Sequence, residues 1–394
     1  MLKIPMIENL SQLRGVFRVI DIDQIHNEWQ SYQNLLVKID TKEDLELFKI
    51  LQASGLENIY PVFNHDGIQD YSIASVTITN QPLQNNDVVS IDGDRGSIFV
   101  LLRQTDLHHS LFLTNQCNNY CLMCSQPPTK HDDSWLVKQA IDIIDHINFN
   151  PKTIGITGGE PLLIGDKLLP IIQALQNKIP NIKIELLSNG RLLSEPSFQT
   201  NVLARLNKPI YWLIPLYGHA EELHDFIVQS HHAFEETIEG LYVLQKYKQP
   251  VQLRIVLVKP VLENLLNICQ YIRSNLPFVN QVAFIGCESI GFALANTEIS
   301  KVDITDWWEI LEESIANINL VKIHPVIMNI PLCCLPQSLW KYSSRSISDW
   351  KQVYHHECQQ CDVVEQCCGL FSWYQKGWMP SQIKTIKVRD NNNE

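Results

Sequence analysis

Three cysteines stand in the run Cys117-Asn-Asn-Tyr-Cys121-Leu-Met-Cys124, a C-x3-C-x2-C spacing placed directly after the apolar stretch Leu111-Phe-Leu113. Three thiolates can hold three corners of a cubane iron–sulfur cluster and leave the fourth iron without a protein ligand. An open iron is a place for chemistry, as an open position marks a catalytic rather than a structural zinc site. The competing readings are a three-cysteine zinc site and three unrelated core thiols. A second group follows one β/α unit later. The strand-like run Thr153-Ile-Gly-Ile-Thr157 leads into Gly158-Gly159-Glu160-Pro161. Two glycines at a strand end let a ligand approach the backbone, and a carboxylate beside them can accept bonds from an ammonium group. The next strand-like run ends in Ser188-Asn189-Gly190, where a hydroxyl and an amide could bind a ribose or a carboxylate; a plain turn is the other reading.

These residues need a framework of strands and helices. From about Ser110 to Gly286, β-type runs alternate with helical patterns. The expected strands are Ser110–Thr114, Thr153–Thr157, Lys183–Leu187, Ile210–Leu216, Val251–Val258 and Gln281–Gly286. The expected helices lie near Trp135–Ile147, Lys167–Lys178, Ser194–Leu206, Ala233–Tyr247 and Glu263–Leu276, with another at Asp303–Ala316. Runs such as Ile255-Val-Leu-Val258 are continuously apolar, which suits parallel strands covered on both faces. Six β/α units in a row predict an α/β fold with a parallel barrel or open sheet, its functional residues at the carboxyl ends of the strands. Residues 1–105 read as a small mixed α/β domain, with a helix over Lys42–Ala53 capped by Thr41 and a hairpin over Asp87–Leu102. Residues 106–325 form the repeated β/α part. Residues 326–394 are rich in Cys, Trp and Pro and fray at Asp390–Glu394.

A chain of 394 residues with a formal charge of −12 has no visible basic patch, which argues against nucleic acid or an anionic membrane as its main partner. No apolar run approaches the roughly 18 residues needed to span a bilayer. The start of the chain lacks a signal-peptide core and a small-residue cleavage site, so a cytoplasmic protein with reduced thiols is expected.

The Cys117/Cys121/Cys124 spacing, together with Gly158-Gly159-Glu160 and Ser188-Asn189, resembles the radical S-adenosylmethionine (SAM) enzymes over roughly Leu107–Val326. The resemblance implies a partial (β/α)6 TIM-like barrel and a [4Fe–4S] cluster on Cys117, Cys121 and Cys124. SAM would chelate the open iron through its amino and carboxylate groups. Gly158, Gly159 and Glu160 would hold the amino group, Ser188 and Asn189 would make polar contacts, Ile285 would meet the adenine, and Arg254 is a candidate for the carboxylate. Met123 stands where the family often has an aromatic residue, and its polarizable thioether can still pack on adenine. Pro215 stands where many relatives carry a serine and offers no donor. One electron passed into the sulfonium would break a carbon–sulfur bond and give a 5′-deoxyadenosyl radical that takes a hydrogen atom from substrate. An electron donor such as flavodoxin or ferredoxin is implied.

Further on, Cys333-Cys334 precedes Cys358-Gln-Gln-Cys361 and Cys367-Cys368. The C-x2-C-x5-C spacing resembles part of the SPASM and twitch extensions of peptide-modifying radical SAM enzymes. It implies a second, auxiliary [4Fe–4S] cluster on Cys358, Cys361, Cys367 and one of Cys333 or Cys334. Zinc and unligated thiols remain as alternatives. Cys269 reads as core, and Cys287 follows an active-site strand. The pairs His108-His109, His231-His232 and His355-His356 read as surface or loop histidines. Trp307-Trp308 and the Trp373–Trp378 region read as core or domain-contact aromatics. The run from Cys117 to Pro128, with the trailing cysteines, resembles the C-type maturase of the His-Xaa-Ser system. That implies a substrate peptide or small protein and a second radical SAM maturase as partner. Rival functions are modification of a small molecule or nucleobase, and an electron-transfer or scaffold protein; the Gly158-Gly159-Glu160 loop speaks against the last. No catalytic acid or base stands out, although Tyr217, Glu288 and Cys368 are pocket candidates.

Overall fold

The computed structural model describes residues 2–5, 13–28, 34–56, 58–63, 76–78, 82–92, 96–374, 378 and 380–388. The turn of the expected hairpin, residues 93–95, and the end of the chain, residues 389–394, lie outside them. The chain forms two compact units. One comprises 1–112, 134–154 and 171–182; the other comprises 113–133, 155–170 and 183–394.

The first unit is built on a sheet of β1 (Leu2–Pro5), β2 (Arg14–Asp21), β3 (Leu35–Ile39), β4 (Ile59–Phe63), β5 (Val76–Thr77), β6 (Val88–Asp92) and β7 (Ser97–Leu102). Their order is β1-β7-β6-β2-β3-β4-β5. The strands alternate in the way a two-faced sheet demands. Phe17, Val19 and Leu36 join one apolar cluster, whereas Ile20, Leu35 and Val37 join another that also takes Phe48 from the helix Lys42–Ala53. That helix begins as expected. Thr41 Oγ1 accepts from the Asp44 amide at 3.1 Å, and the Asp44 carboxylate accepts from the Thr41 amide at 2.8 Å. The expected hairpin is the antiparallel pair β6–β7. Strand β8 (Ser110–Phe112) and the helix Trp135–His146 also belong to this unit.

In the second unit lie the carboxyl end of β9 (Thr153–Thr157), and β10 (Lys183–Leu187), β11 (Tyr211–Pro215), β12 (Val251–Leu257), β13 (Gln281–Gly286) and β14 (His324–Met328). Their order is β14-β13-β12-β11-β10-β9, with parallel pairing from β10 to β14. Their side chains are buried as a sheet covered by helices requires; Trp212, Leu253, Ile255 and Phe284 have no exposed surface. The α/β fold with a parallel sheet is therefore as expected.

Three local differences have physical causes. Strand β14 lies beyond the expected strands and contains Pro325; at an edge of the parallel order the missing N–H costs no ladder bond. The helix expected over Ser194–Leu206 starts only at Pro196, which takes the first helical position, and stops at Asn201; one 3-10 turn, Leu203–Arg205, follows. A further helix, Glu221–Val228, sits after β11. In the C-terminal region, β15 (Gln352–Val353) pairs antiparallel with β16 (Leu370–Phe371) and draws together the two ends of the segment that carries Cys358, Cys361 and Cys367.

Candidate functional site

The loop 113–125 holds Cys117, Cys121 and Cys124, and polar bonds fix it at several points. Asp133, nearly buried, accepts from Thr114 Oγ1 at 3.1 Å and from the Asn115 amide and side chain. The Gly159 amide donates to Thr114 O and the Glu160 amide to Gln116 O, both at 2.7 Å. Tyr120 and Leu122 donate through their amides to Val228 O and Ile227 O at the end of Glu221–Val228. On the far side, Phe292 N donates to Cys124 O, and Asn296 Nδ2 to Leu122 O, both at 2.9 Å.

This geometry gives the two glycines a duty within the fold itself. Gly158 and Gly159 do not leave their backbone bare for a ligand on that side. A Cβ on Gly158 would stand 2.6 Å from Thr114 O, and one on Gly159 only 2.2 Å from Gln116 O. The glycines are required because the strand end lies against the cysteine loop itself. The Glu160 carboxylate is likewise engaged. It is fully buried and accepts from Leu162 N at 2.9 Å, Ser188 Oγ at 2.8 Å and Asn189 N at 2.6 Å. Burial pushes its pKa up to about 7 against the pull of those donors. These three accepted bonds brace the ends of β9 and β10.

Asn189 closes the circuit by donating through Nδ2 to Asn118 Oδ1 at 2.6 Å, so Glu160, Ser188, Asn189 and the cysteine loop form one bonded group. Arg191 belongs to it as well. Its Nη1 donates to Asn118 O at 2.8 Å, Asn119 Oδ1 at 2.6 Å and Ser230 Oγ at 2.7 Å. Sequence reasoning missed Arg191 and Asp133, because each acts through loop peptides distant in sequence and carries no motif of its own. Met123 is buried within the loop and Ile285 within β13. Arg254, on β12, lies apart from that bonded group and donates to Gln252 Oε1 at 3.3 Å. It lies electrostatically next to Tyr217, whose pKa burial raises well above the usual value, with Cys121, Cys124 and Cys287 adding to the rise.

The three thiols suit a metal cluster. Burial raises the pKa of all three, that of Cys117 to about 11, so the loop holds them desolvated. Amides of the loop itself are aimed at sulfur, Asn119 N standing 3.4 Å from Cys117 Sγ. A bound iron would supply the positive charge that these sulfurs lack. No disulfide forms among the eleven cysteines. Among the described residues no three His, Cys, Asp or Glu side chains converge on a point that would hold a single ion. A four-iron cubane is larger and takes its thiolates from farther apart.

The C-terminal thiols gather separately. Cys333, Cys358, Cys361 and Cys367 line one small cavity with Leu332, Val363 and Ile386. Trp340 Nε1 donates to Leu332 O at 3.1 Å and Trp308 Nε1 to Cys334 O at 2.8 Å, which fixes the Leu332–Leu335 turn. The adjacent pairs divide their roles. Hydrogen bonding from Cys368 and from the Leu332 and Gly369 amides brings Cys367 down to about 6, and the Cys334 thiol brings Cys333 down to about 7. Cys334 and Cys368 are raised and fully buried, and Cys368 Sγ donates to Gly369 O at 3.4 Å. Of the Cys333/Cys334 pair, Cys333 faces the other three thiols. Cys334 lines a different cavity of about 180 Å³ at the carboxyl ends of β12, β13 and β14, with Cys287, Asp303, Phe371 and Tyr374. Glu288 beside that cavity pairs with Lys351 at 2.9 Å. Cys269 is core, as expected.

Residues 111–272 match the family model of the radical SAM superfamily. The match supports a radical SAM enzyme, a family that works with a [4Fe–4S] cluster and SAM. L-lysine 2,3-aminomutase of Clostridium subterminale is 27% identical over 119 residues, 29% of either chain. An uncharacterized protein of Methanocaldococcus jannaschii is 26% identical over 198 residues, 48% of this chain and 62% of its own. This chain therefore spans less than two thirds of the length of either relative. Among solved structures, native anSMEcpe with bound AdoMet and Cp18Cys peptide has 17% identity and a TM-score of 0.43, covering 56% of this chain and 63% of its own. A radical SAM methyltransferase from Sphaerobacter thermophilus has 11% identity and a TM-score of 0.44, covering 78% and 88%. No described helix is long and apolar enough to cross a membrane.

Proposed function

We propose that this chain is a peptide-modifying radical SAM enzyme with a second cluster. Its parallel strands would form the partial (β/α)6 barrel of that family, with a small mixed α/β N-terminal domain and residues 326–394 as a SPASM/twitch-like extension. Cys117, Cys121 and Cys124 would hold the first [4Fe–4S] cluster, and Cys333, Cys358, Cys361 and Cys367 the auxiliary one. Bound there, the first cluster and SAM would supply one-electron cleavage of the sulfonium and a hydrogen-abstracting radical. The chain's own part is to hold the loop, through Asp133, Glu160 and Arg191, and to keep water from the reacting centre.

The observation that carries this reading is the convergence of four C-terminal thiols on one apolar cavity, beside a larger cavity at the strand ends. A site that holds a cluster next to a pocket suits substrate chemistry more than electron carriage alone. The substrate is read as a small protein or peptide of the His-Xaa-Ser type, with flavodoxin or ferredoxin as electron donor and a second radical SAM maturase as partner, in the cytoplasm. The test is anaerobic reconstitution, reduction and assay for 5′-deoxyadenosine, then co-expression with small peptides encoded beside the gene and mass spectrometry of those peptides. Iron-free protein that leaves SAM intact sinks the enzyme reading; intact peptides with cleaved SAM sink only the substrate.

A further inference from the structure

We infer that Arg191 is a positioning residue that raises the reduction potential of the cluster on Cys117, Cys121 and Cys124, an inference that rests on the cluster reading above. The geometry is a relay through one peptide. Arg191 Nη1 donates to Asn118 O at 2.8 Å, and the N–H at the other end of that peptide, from Asn119, stands 3.4 Å from Cys117 Sγ. The cation thus meets the negative end of the peptide dipole and the sulfur meets its positive end. Both contacts favour the same orientation. The peptide is held from the sides too. Asn119 Oδ1 accepts from Arg191 at 2.6 Å, Asn118 Oδ1 accepts from Asn189, and Ser230 Oγ reaches Asn118 O at 3.3 Å.

Hydrogen bonds to the sulfurs and local charge set the potential of a thiolate-bound cluster, because the reduced state carries one more negative charge. The Arg191 side chain is 11% exposed, so solvent screens its charge weakly. Glu236, paired with its Nε and 40% exposed, opposes it. The two residues should therefore move the potential in opposite directions. Removing the cation favours the oxidised cluster, and removing the carboxylate favours the reduced one.

The experiment is a potentiometric titration followed by electron paramagnetic resonance on reconstituted wild type, Arg191→Met, Arg191→Lys and Glu236→Gln, with iron counted in each. The auxiliary cluster of the same sample is the internal reference and should not shift. Arg191→Met should lower the potential of the first cluster, Arg191→Lys should restore part of it, and Glu236→Gln should raise it. If Arg191→Met cannot retain its iron, the sign of the Glu236→Gln shift decides: an unchanged or lowered potential overturns the inference. Loaded variants that all share the wild-type potential overturn it as well. Wild type that binds no cluster removes the cluster reading and the inference together.

Discussion

The two cysteine sites of this chain are built by opposite means. The loop with Cys117, Cys121 and Cys124 hangs on polar side chains, with Asp133 at its entry, Arg191 and Asn189 at its middle and Asn296 at its exit. The site around Cys333, Cys358, Cys361 and Cys367 is set among apolar side chains, Leu332, Val363, Trp340 and Ile386, and its ends are tied by the β15–β16 ladder. If the first loop holds a cubane, its three thiols leave one corner open for a second ligand. Four thiols in an apolar cavity complete their own set. On this view the polar scaffold serves a site that must bind and turn over, and the apolar one serves a site that must persist.

The sharpest way to break this comparison is to empty each site in turn. Reconstituted wild type should hold about eight irons, four per cubane. Replacing Cys117, Cys121 and Cys124 together by Ala should remove about half and abolish SAM cleavage. Cys361→Ala should remove the other half, keep substrate-independent SAM cleavage and lose peptide modification. Full peptide-modifying activity in a folded Cys361→Ala protein would refute the role given to the second site. Next in size is Gly159→Ala. Its Cβ would strike Gln116 O at 2.2 Å, with backbone rather than a flexible side chain in the way. The loop must shift, at a cost of about 1–3 kcal/mol for overpacking. A lowered melting temperature and lost N-terminal iron should appear together; an unperturbed melt would mean that the strand end and loop are not locked to each other.

Sequence patterning carried the parallel sheet and most of its strands, because buried parallel strands are continuous apolar runs with sharp ends. It also marked two groups of cysteines at short spacings, which the structure places on one loop and around one cavity. It did not carry β14, since an edge strand tolerates the proline that a central one forbids. Nor did it find the duties of Glu160, Arg191 and Asp133. The carboxylate after two glycines reads locally as a ligand group, and only the fold shows that its partners, Ser188 and Asn189, lie 28 and 29 residues away.

Glu160 offers a pH test of the polar scaffold. Its folded pKa of about 7 lies above the ordinary 4.5. The folded state therefore holds the proton more tightly than the unfolded state, and the associated stability is present below about pH 4.5 and is lost as pH rises through about 7. Glu160→Gln cannot titrate, but its amide would face the Asn189 N–H donor to donor, a steady cost of about 1–3 kcal/mol. The melting-temperature gap between wild type and Glu160→Gln, measured without metal, should narrow from pH 5 to pH 8. A gap that stays constant over this range would show the carboxylate to be ionised throughout.

The smallest effect separates two adjacent thiols. Cys333 lines the four-thiol cavity and is brought down to about 7, whereas Cys334 turns to the strand-end cavity and donates to its neighbour. Serine is a poor ligand for iron but a good hydrogen-bond donor. Cys333→Ser should therefore release the C-terminal irons, while Cys334→Ser should keep all of about eight, since the hydroxyl can make the same bond toward Cys333. Iron counts on the two variants compare neighbours in the same turn, so a general loss of folding would strike both. If Cys334→Ser loses iron and Cys333→Ser does not, the ligand set is the reverse of the one drawn here, and the strand-end cavity, not the small apolar one, is where the second cluster belongs.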